Sequence, residues 1–567
     1  MNQIHTATRL PHLATVNGAT RLIVGGQPVL LLGGELHNSS ASSLDYMERE
    51  VWGRIEALNC NMILPTISWE LVEPEEGRFD FSLVDGLIEQ ARDHNVFLVP
   101  LWFGAYKNAQ SNYAPAWVKR DLARFPRAEA TPGTRIETVS VLSRELRYAD
   151  AKAFAAVMRR IRELDPEGTT VVMMQVENEV GLLRGSRDHC ALAREAYESD
   201  VPTALISYLS LHRDTLQPGL RTLWDTNGAR EHGAWRDVFG DGWQGDEVFM
   251  AWHFAQYCGA VGAAGIAEHP IPMYANAWLV QNDGQPAGDY PSGGPVASMI
   301  DIWRAAAPNM AFLAPDIYLP DFAAECARYT VSGNPLFIPE MTRGLAAAAS
   351  ALYAVGEHAA IGVAPFGIDS IGVADLAPAI IAPEDAGNPV VAIVAGAHSQ
   401  SSGSGPSAAK LLQTTYRLLG DMAPVLQGVD AANVRGVIEN ATVDVSPDMI
   451  VDLGGYRILV QWANPGKPRD AKLYHENPFV CGGGIIALVE PGVFVIAGFG
   501  FRVRFSCPDE PGSVVEYLSI DDGDYCDGKW MAGRRLNGDE YRIDLLLGAD
   551  GAPSVRRVVP YTYASRV

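Results

Sequence analysis

Eight short apolar runs, spaced so that helical or looped stretches separate them, constrain this 567-residue chain more than any other feature. They fall at 29–32, 62–67, 96–102, 171–176, 272–279, 310–314, 335–338 and 360–364. Helical periodicity fills the early gaps. Asp45 can cap a helix to about residue 59 whose Met47, Val51, Ile55 and Leu58 recur on one face. A second helix, near 83–94, aligns Leu83, Leu87 and Ala91, and a third is expected at 149–164. Strand–helix repetition at this cadence predicts a parallel α/β architecture. Eight strands, with no glycine-rich dinucleotide loop after the first, predict a closed (β/α)8 TIM barrel over an open doubly wound sheet.

The texture changes further on. Residues 182–268 read as a mainly helical excursion, in which Asp246 can cap a helix carrying Val248, Ala251, Trp252 and Ala255. A polar segment, HSQSSGSGPS at 398–407, precedes an amphipathic helix near 408–419. Short alternating runs at 456–462, 492–506 and 540–548 then predict a mostly-β, sandwich-like C-terminal domain. The expected organisation is a catalytic barrel over 20–380, a linker and helix over 381–429, and a β-rich accessory domain over 430–567. A chain of 61.2 kDa is too long for one core, which fits this division.

Composition narrows the partners. A formal charge of −23 disfavours nucleic acid and anionic membranes, and suits a neutral or cationic ligand. The seven cysteines include no CxxC pair, so neither a zinc knuckle nor a disulfide framework is expected, and buried free thiols are the default. The apolar stretches near 345–366 and 482–502 are broken by Glu, His or Pro, so no membrane insertion is expected. Residues 1–18 lack the pattern of a signal peptide. The sequence as it stands implies a cytoplasmic location, and a periplasmic or secreted one if a targeting segment has been removed. It does not specify an oligomeric state.

Two of the strand ends are acidic. In TTVVMMQVENEVG (169–181) a buried run ends on Glu177, Asn178 and Glu179; in PLFIPEMTRG (335–344) Glu340 follows Ile338 by two residues. A single acidic strand end also fits a helix N-terminus or a solvated edge. On the strand count, however, Glu179 follows strand four and Glu340 strand seven, on opposite sides of a barrel mouth. Glycosidic cleavage needs that arrangement: one protonated carboxyl for the leaving oxygen and one ionised carboxylate at the anomeric carbon. Retention needs the two ~5–5.5 Å apart, and inversion ~6.5–9.5 Å. Proximity also drives their pKa values apart. Sequence physics alone does not say which is the acid. Glu177 alternates away from the rim and is expected to be a buried partner.

Three segments then carry a resemblance. VMMQVENEVG (172–181), ISWELVEPEEGRFDFS (67–82) and LLLGGELHNS (31–40) resemble the acid/base strand, the strand-two block and the strand-one motif of glycoside hydrolase family 35, the β-galactosidases of the retaining (β/α)8 clan. The likeness covers about residues 20–380 and is strongest before 180. It implies that Glu179 is the acid/base, that Asn178 holds the sugar 2-hydroxyl, and that Glu340 is the nucleophile. Departures occur where that family binds galactose. Asn38 replaces Tyr, Glu70 replaces Asn, and the strand-three loop has Tyr106, Asn112, Tyr113 and Pro115-Ala116-Trp117 instead of Cys-Ala-Glu-Trp.

Further candidates are side chains at strand ends. Trp69 and Trp278 are expected to line the site as sugar platforms, ahead of Trp102, Trp117 and Trp252, although tryptophans there also serve as packing. Glu35 and Glu70 can bind hydroxyls or pair with an arginine; Tyr113 lies on the long third loop, of a size usually functional. Tyr318 is expected to hydrogen-bond the nucleophile, with Arg343 the alternative. His37 reads as structural, and no spacing near it suggests a metal site. The function expected is a retaining exo-β-glycosidase, foremost a β-galactosidase acting on oligo- or polysaccharides without cofactor or metal. The alternatives are a clan enzyme for glucosides, xylosides or arabinosides, and a non-catalytic carbohydrate-binding barrel.

Overall fold

In the computed structural model, which describes residues 10–372, 406–440, 442–443, 445–463, 482–507, 512–540, 546–548 and 552–564, the eight expected strands are all present and parallel. Strand one is Leu31–Glu35; strand two is Met62–Leu64 continued by Thr66–Ser68; strand three is Phe97–Leu98 continued by Leu101–Lys107. Strands four to eight are Met174–Asn178, Met273–Trp278, Phe312–Ile317, Phe337–Met341 and Gly362–Pro365. Prolines interrupt strands two and three because they lack an N–H, but the ladder bridges the gap: the Leu101 N–H donates to Pro65 O at 2.9 Å and the Val99 N–H to Ile63 O at 3.0 Å. Strand eight pairs with strand one, and strand one with the first half of strand two. The curl therefore closes on itself as a TIM-type barrel.

Several strands run further than their apolar residues indicate. Strand three reaches Lys107, strand six Ile317 and strand seven Met341. The added residues include Lys107, Asp316 and Glu340, charged positions at which an apolar run breaks while the backbone ladder continues. Leu31, Met62, Leu64, Val99, Leu101, Phe103, Tyr274, Phe312 and Phe337 fill the barrel interior. At its base it is met by the N-terminal sheet of His12–Val16, Ala19–Val24 and Gln27–Val29, through Leu22 and Val24. In strand one a Cβ on Gly34 would lie 2.2 Å from Ile368 Cβ, so only glycine admits that side chain.

Outside the barrel lie the helices. The first is capped by Ser43, whose side chain accepts from the Tyr46 N–H, and not by Asp45. Ser82–Asp93 buries Val84, Leu87, Ile88 and Ala91, with Leu83 off the inner face. Trp243–Glu268 is one long helix in which Asp246 is internal and bonded to Ser186. Residues 373–405, which hold most of the expected linker, lie outside the described residues; the helix after them is Pro406–Gly428, longer than expected, and Tyr416 donates to Gly33 O at 2.8 Å.

The C-terminal region forms two antiparallel sheets in sandwich-like array. One holds Val434–Ile438, Gly483–Glu490, Val493–Phe499, Ser554–Ala564, Ser513–Cys526 and Lys529–Leu536; the other Met449–Leu453, Tyr456–Trp462, Phe501–Ser506 and Leu546–Leu547. The chain changes sheets at Gly500, whose φ of +76° suits glycine. Ile458, Val460, Ile486, Phe494, Ile496, Phe501 and Phe505 pack between the sheets. The alanine-rich helix Ala346–His358 is buried between barrel and sandwich, and a Cβ on its Gly356 would meet Gly436 Cα at 2.9 Å. Its small residues are therefore explained by close packing. No helix among the described residues is long and apolar enough to cross a membrane. Six cysteines are described and free; four are buried as expected, while Cys507 is partly buried and Cys526 exposed.

Candidate active site

Strand four delivers its two glutamates to different places. Its pairing with strand three shifts register between Val176 and Asn178, and Glu177 and Glu179 take positive φ values of 61° and 44°. Left-handed backbone is unfavourable for such residues and persists only where its surroundings hold it. Glu177 turns behind the strand, accepting from the N–H of Tyr106 at 2.7 Å and Ala105 at 3.3 Å, against the carboxyl of Asp150. Asp150 in turn accepts from Trp102 Nε1 at 2.8 Å and Tyr257 OH at 2.7 Å. A Cβ on Gly104 would fall 2.5 Å from Glu177 Oε1, so that glycine makes room for the pair.

Glu179 faces the mouth. Its backbone N–H donates to Asn276 Oδ1 at 3.0 Å, and its carboxylate accepts from Asn108 Nδ2. Asn276 also donates to Asp316 Oδ2 at 2.7 Å. Across the opening, Glu340 sits in register beside Asp316 and accepts at Oε1 from the Tyr318 hydroxyl, the bond expected of that tyrosine. One oxygen each of Glu179, Asp316 and Glu340 lie within 4.8 Å of one another. Burial, followed by the charge of Glu340, pushes the Glu179 carboxyl up to about 7, against the opposing pull of Lys107, Asp316 and Asn108. Burial and the same neighbours raise Asp316 and Glu35 well above the carboxylate range.

Several polar atoms here are buried and meet no amide, hydroxyl or amine group: both oxygens of Glu35, both amide atoms of Asn178, Asp316 Oδ1 and Glu340 Oε2; Glu35 has only the carboxyl of Glu340 beside it, and Asp316 that of Glu179. Buried polar groups are normally paired, so this concentration of open hydrogen-bonding capacity makes the barrel mouth the candidate binding surface. Glu179, Asp316 and Glu340 are also the group that could converge on a cation among the described residues; the ammonium of Lys107 already faces these carboxylates.

Other expected residues fall in varied positions. Trp278, at the end of strand five opposite Asp316, packs with Ala109 and Leu183 at the rim. Trp69 is fully buried, donates to Glu73 Oε2 at 2.8 Å and abuts Trp117, so it has no accessible face for a sugar. Core packing prevails over a platform role there, because its ring turns under the strand end. Trp102 is likewise fully buried and bonded to Asp150. Glu70 pairs with Lys119 at 3.1 Å, not with an arginine; with Tyr113 and Asn38 it lines a separate cavity of about 390 Å³. Arg343 donates to Ser370 Oγ at 2.9 Å and not to Glu340. His37 also bonds Ser370 Oγ, at 2.9 Å. Lys107, Asn108, Asn276 and Asp316 were not singled out by sequence reasoning. Asp316 carried a usable signal, since it follows the apolar run 310–314 by two residues as Glu340 follows its own.

With this geometry in place, comparison with known proteins becomes informative. Residues 21–221 match glycosyl hydrolases family 35. Strands one to four of the barrel are thus similar in sequence to that family. Residues 412–547 match a domain of unknown function, DUF5597. A β-galactosidase of Xanthomonas manihotis is 27% identical over 186 residues, 31% of this chain and 28% of that protein. The β-galactosidase-1-like protein 3 of Rattus norvegicus is 24% identical over 190 residues, 32% of this chain and 27% of that protein. The match thus spans little more than a quarter of either relative's length. Among solved structures, a β-galactosidase from Bacillus circulans is 13% identical with a TM-score of 0.44, covering 93% of this chain and 99% of its own. The catalytic domain of a β-amylase from Paenibacillus polymyxa gives 11% and 0.43, covering 61% and 94%. Likenesses so remote carry no assignment of substrate.

Proposed function

We propose that the chain is a retaining exo-β-glycosidase, foremost a β-galactosidase, working by double displacement at Glu340 and Glu179. The observation that carries this is the approach of Glu179 and Glu340 oxygens to within 4.8 Å across the barrel mouth. That proximity supports the retaining reading, since an inverting pair must leave room for water at ~6.5–9.5 Å. Glu340 has one oxygen held by the Tyr318 hydroxyl and the other met only by the carboxyl of Glu35, which supports its role as the nucleophile. Glu179, held near 7, keeps a proton in weakly acidic solution.

In the first step Glu340 Oε2 bonds to the anomeric carbon while the bond to the aglycone oxygen breaks, and Glu179 gives that oxygen its proton. In the second step water loses a proton to Glu179 and bonds to the same carbon, releasing Glu340. Asn178, buried beside the acid with its amide unspent, is placed to hold the sugar 2-hydroxyl through both steps. Galactose as the preferred sugar rests on the family 35 match and on the two β-galactosidase-named relatives.

The test is a panel of nitrophenyl β-glycosides (galactoside, glucoside, xyloside, arabinoside, fucoside) with Glu340→Gln and Glu179→Gln beside the wild type. Cleavage of the galactoside ahead of the others, lost in Glu340→Gln, is the expected result. Preference for another glycoside moves the substrate within the clan. Cleavage of none by the wild type overturns the exo-glycosidase reading.

A further inference from the structure

Lys107 ends strand three inside the mouth, in register with Asn178, and is only 7% exposed. Its backbone N–H is fixed to Gln110 O at 2.9 Å, and its ammonium rests 4.8 Å from the centre of the Phe103 ring. Glu340, Glu35, Glu179 and Asp316 all act on it electrostatically. Yet among the described residues its ammonium makes neither a hydrogen bond nor a close ion pair. Unlike the carboxyl oxygens around it, Lys107 Nζ is not sealed from solvent, so its three N–H groups are open to a ligand in the mouth instead of being spent on one of those carboxylates. The side chain nearest to it in kind, Lys119, pairs with Glu70 at 3.1 Å.

Resting on the glycosidase reading above, we propose that Lys107 is a specificity-determining residue of this pocket, donating to two adjacent hydroxyls of the terminal sugar whose remaining bonds go to Glu35. The chemistry of the lining selects that ligand. Lys107 offers donors only, while the buried Glu35 meets no polar group but the neighbouring carboxyl of Glu340. A hydroxyl both accepts and donates, so each member of a neighbouring pair can take a bond from Lys107 and exchange one with Glu35. A carboxylate-bearing sugar is disfavoured, because four carboxyl groups surround one ammonium. Asn178 is left for the hydroxyl next to the anomeric carbon. The third loop, where the chain departs from the family 35 pattern, is thereby given a defined task in choosing the sugar.

The test compares wild type, Lys107→Met and Lys107→Arg on the nitrophenyl glycoside cleaved best and on its 2-, 3-, 4- and 6-monodeoxy analogues. In Lys107→Met, kcat/KM for the parent glycoside is expected to fall about 10- to 100-fold, the scale of a lost charged hydrogen bond. The analogues lacking the bonded hydroxyls should lose as much in the wild type and little more in the variant. A fall of under threefold, or equal losses in the variant for every analogue, overturns the proposal. If Lys107→Met does not fold, Lys107→Arg keeps the charge with altered reach and must show the same selective pattern; uniform behaviour across the analogues overturns it. Calorimetric titration with methyl β-glycosides separates this claim from the hydrolytic one. If the wild type cleaves nothing, binding that Lys107→Met abolishes still supports the role, and equal or absent binding overturns it.

Discussion

Two buried acid pairs each draw one member from the end of strand four, Glu177 and Glu179 with only Asn178 between them, and they are opposite in finish. Glu177 and Asp150 are surrounded by donors: two backbone N–H groups, the Trp102 indole and the Tyr257 hydroxyl. Glu179 and Glu340 have donors on one side only, from Asn108 and Tyr318, and face a group of atoms that meet no amide, hydroxyl or amine on the other. Both pairs are buried and both strain their charges. What differs is satisfaction. The closed pair braces the strand end, while the open pair is the one that, on the proposed function, meets a sugar's anomeric carbon. Burial and a raised pKa therefore do not by themselves distinguish a structural acid from a reactive one; unspent hydrogen-bonding capacity does.

Substitutions can break this contrast. Glu340→Gln should lower kcat by on the order of 10⁴-fold or more without loss of thermal stability, as steady-state kinetics and a melting curve will show. Stability falling with activity would place Glu340 in the structural class. Glu179→Gln should cost ~10²–10⁴-fold on glycosides with poor leaving groups and far less on dinitrophenyl glycosides, which need no proton. In the wild type, kcat/KM should decline as pH rises through about 7, because Glu179 then loses the proton it must donate; Glu179→Gln should lack that limb.

Glu177→Ala should act in the reverse sense. It should destabilise by about 2–4 kcal/mol in chemical denaturation, by removing a buried partner of Asp150 and two N–H groups, while the folded fraction keeps kcat within about tenfold. Tyr318→Phe should reduce kcat by roughly tenfold, the scale of one hydrogen bond to a charged oxygen.

The smallest effect concerns pH and stability. Burial first, and then neighbouring carboxyls, raise Glu177, Glu35 and Asp316 in the folded state. The folded chain therefore holds protons that the unfolded chain releases near ~4. Their contribution is fully present below that pH and is lost as pH rises through the folded values. Melting temperature should decline from pH 5 towards 9, and Glu177→Gln should flatten the slope. A slope unchanged by that substitution would remove Glu177 from the set.

The barrel was readable because eight apolar runs recur along the chain with helical periods in the early gaps, and two acidic strand ends marked opposite sides of its mouth. Tyr318 was readable as a companion of Glu340. Lys107 and Asn276 were not, since a single polar residue at the end of an apolar strand looks the same whether it faces the mouth or the helices. Asn108 owes its place to a left-handed turn, φ +50°, which no periodicity announces. Trp69 and Trp278 have the same sequence signature, and only packing sends one into the core and the other to the rim.

The division of labour on strand four is tested most directly by trapping the glycosyl-enzyme. The chain would be incubated with a 2-deoxy-2-fluoro-β-galactosyl fluoride, digested, and its peptides mapped by mass spectrometry. The account predicts one sugar per chain, attached to Glu340 and absent from Glu340→Gln. Attachment to Glu179, Asp316 or Glu35 instead, or turnover of β-galactosides with no trapped sugar at all, would contradict it.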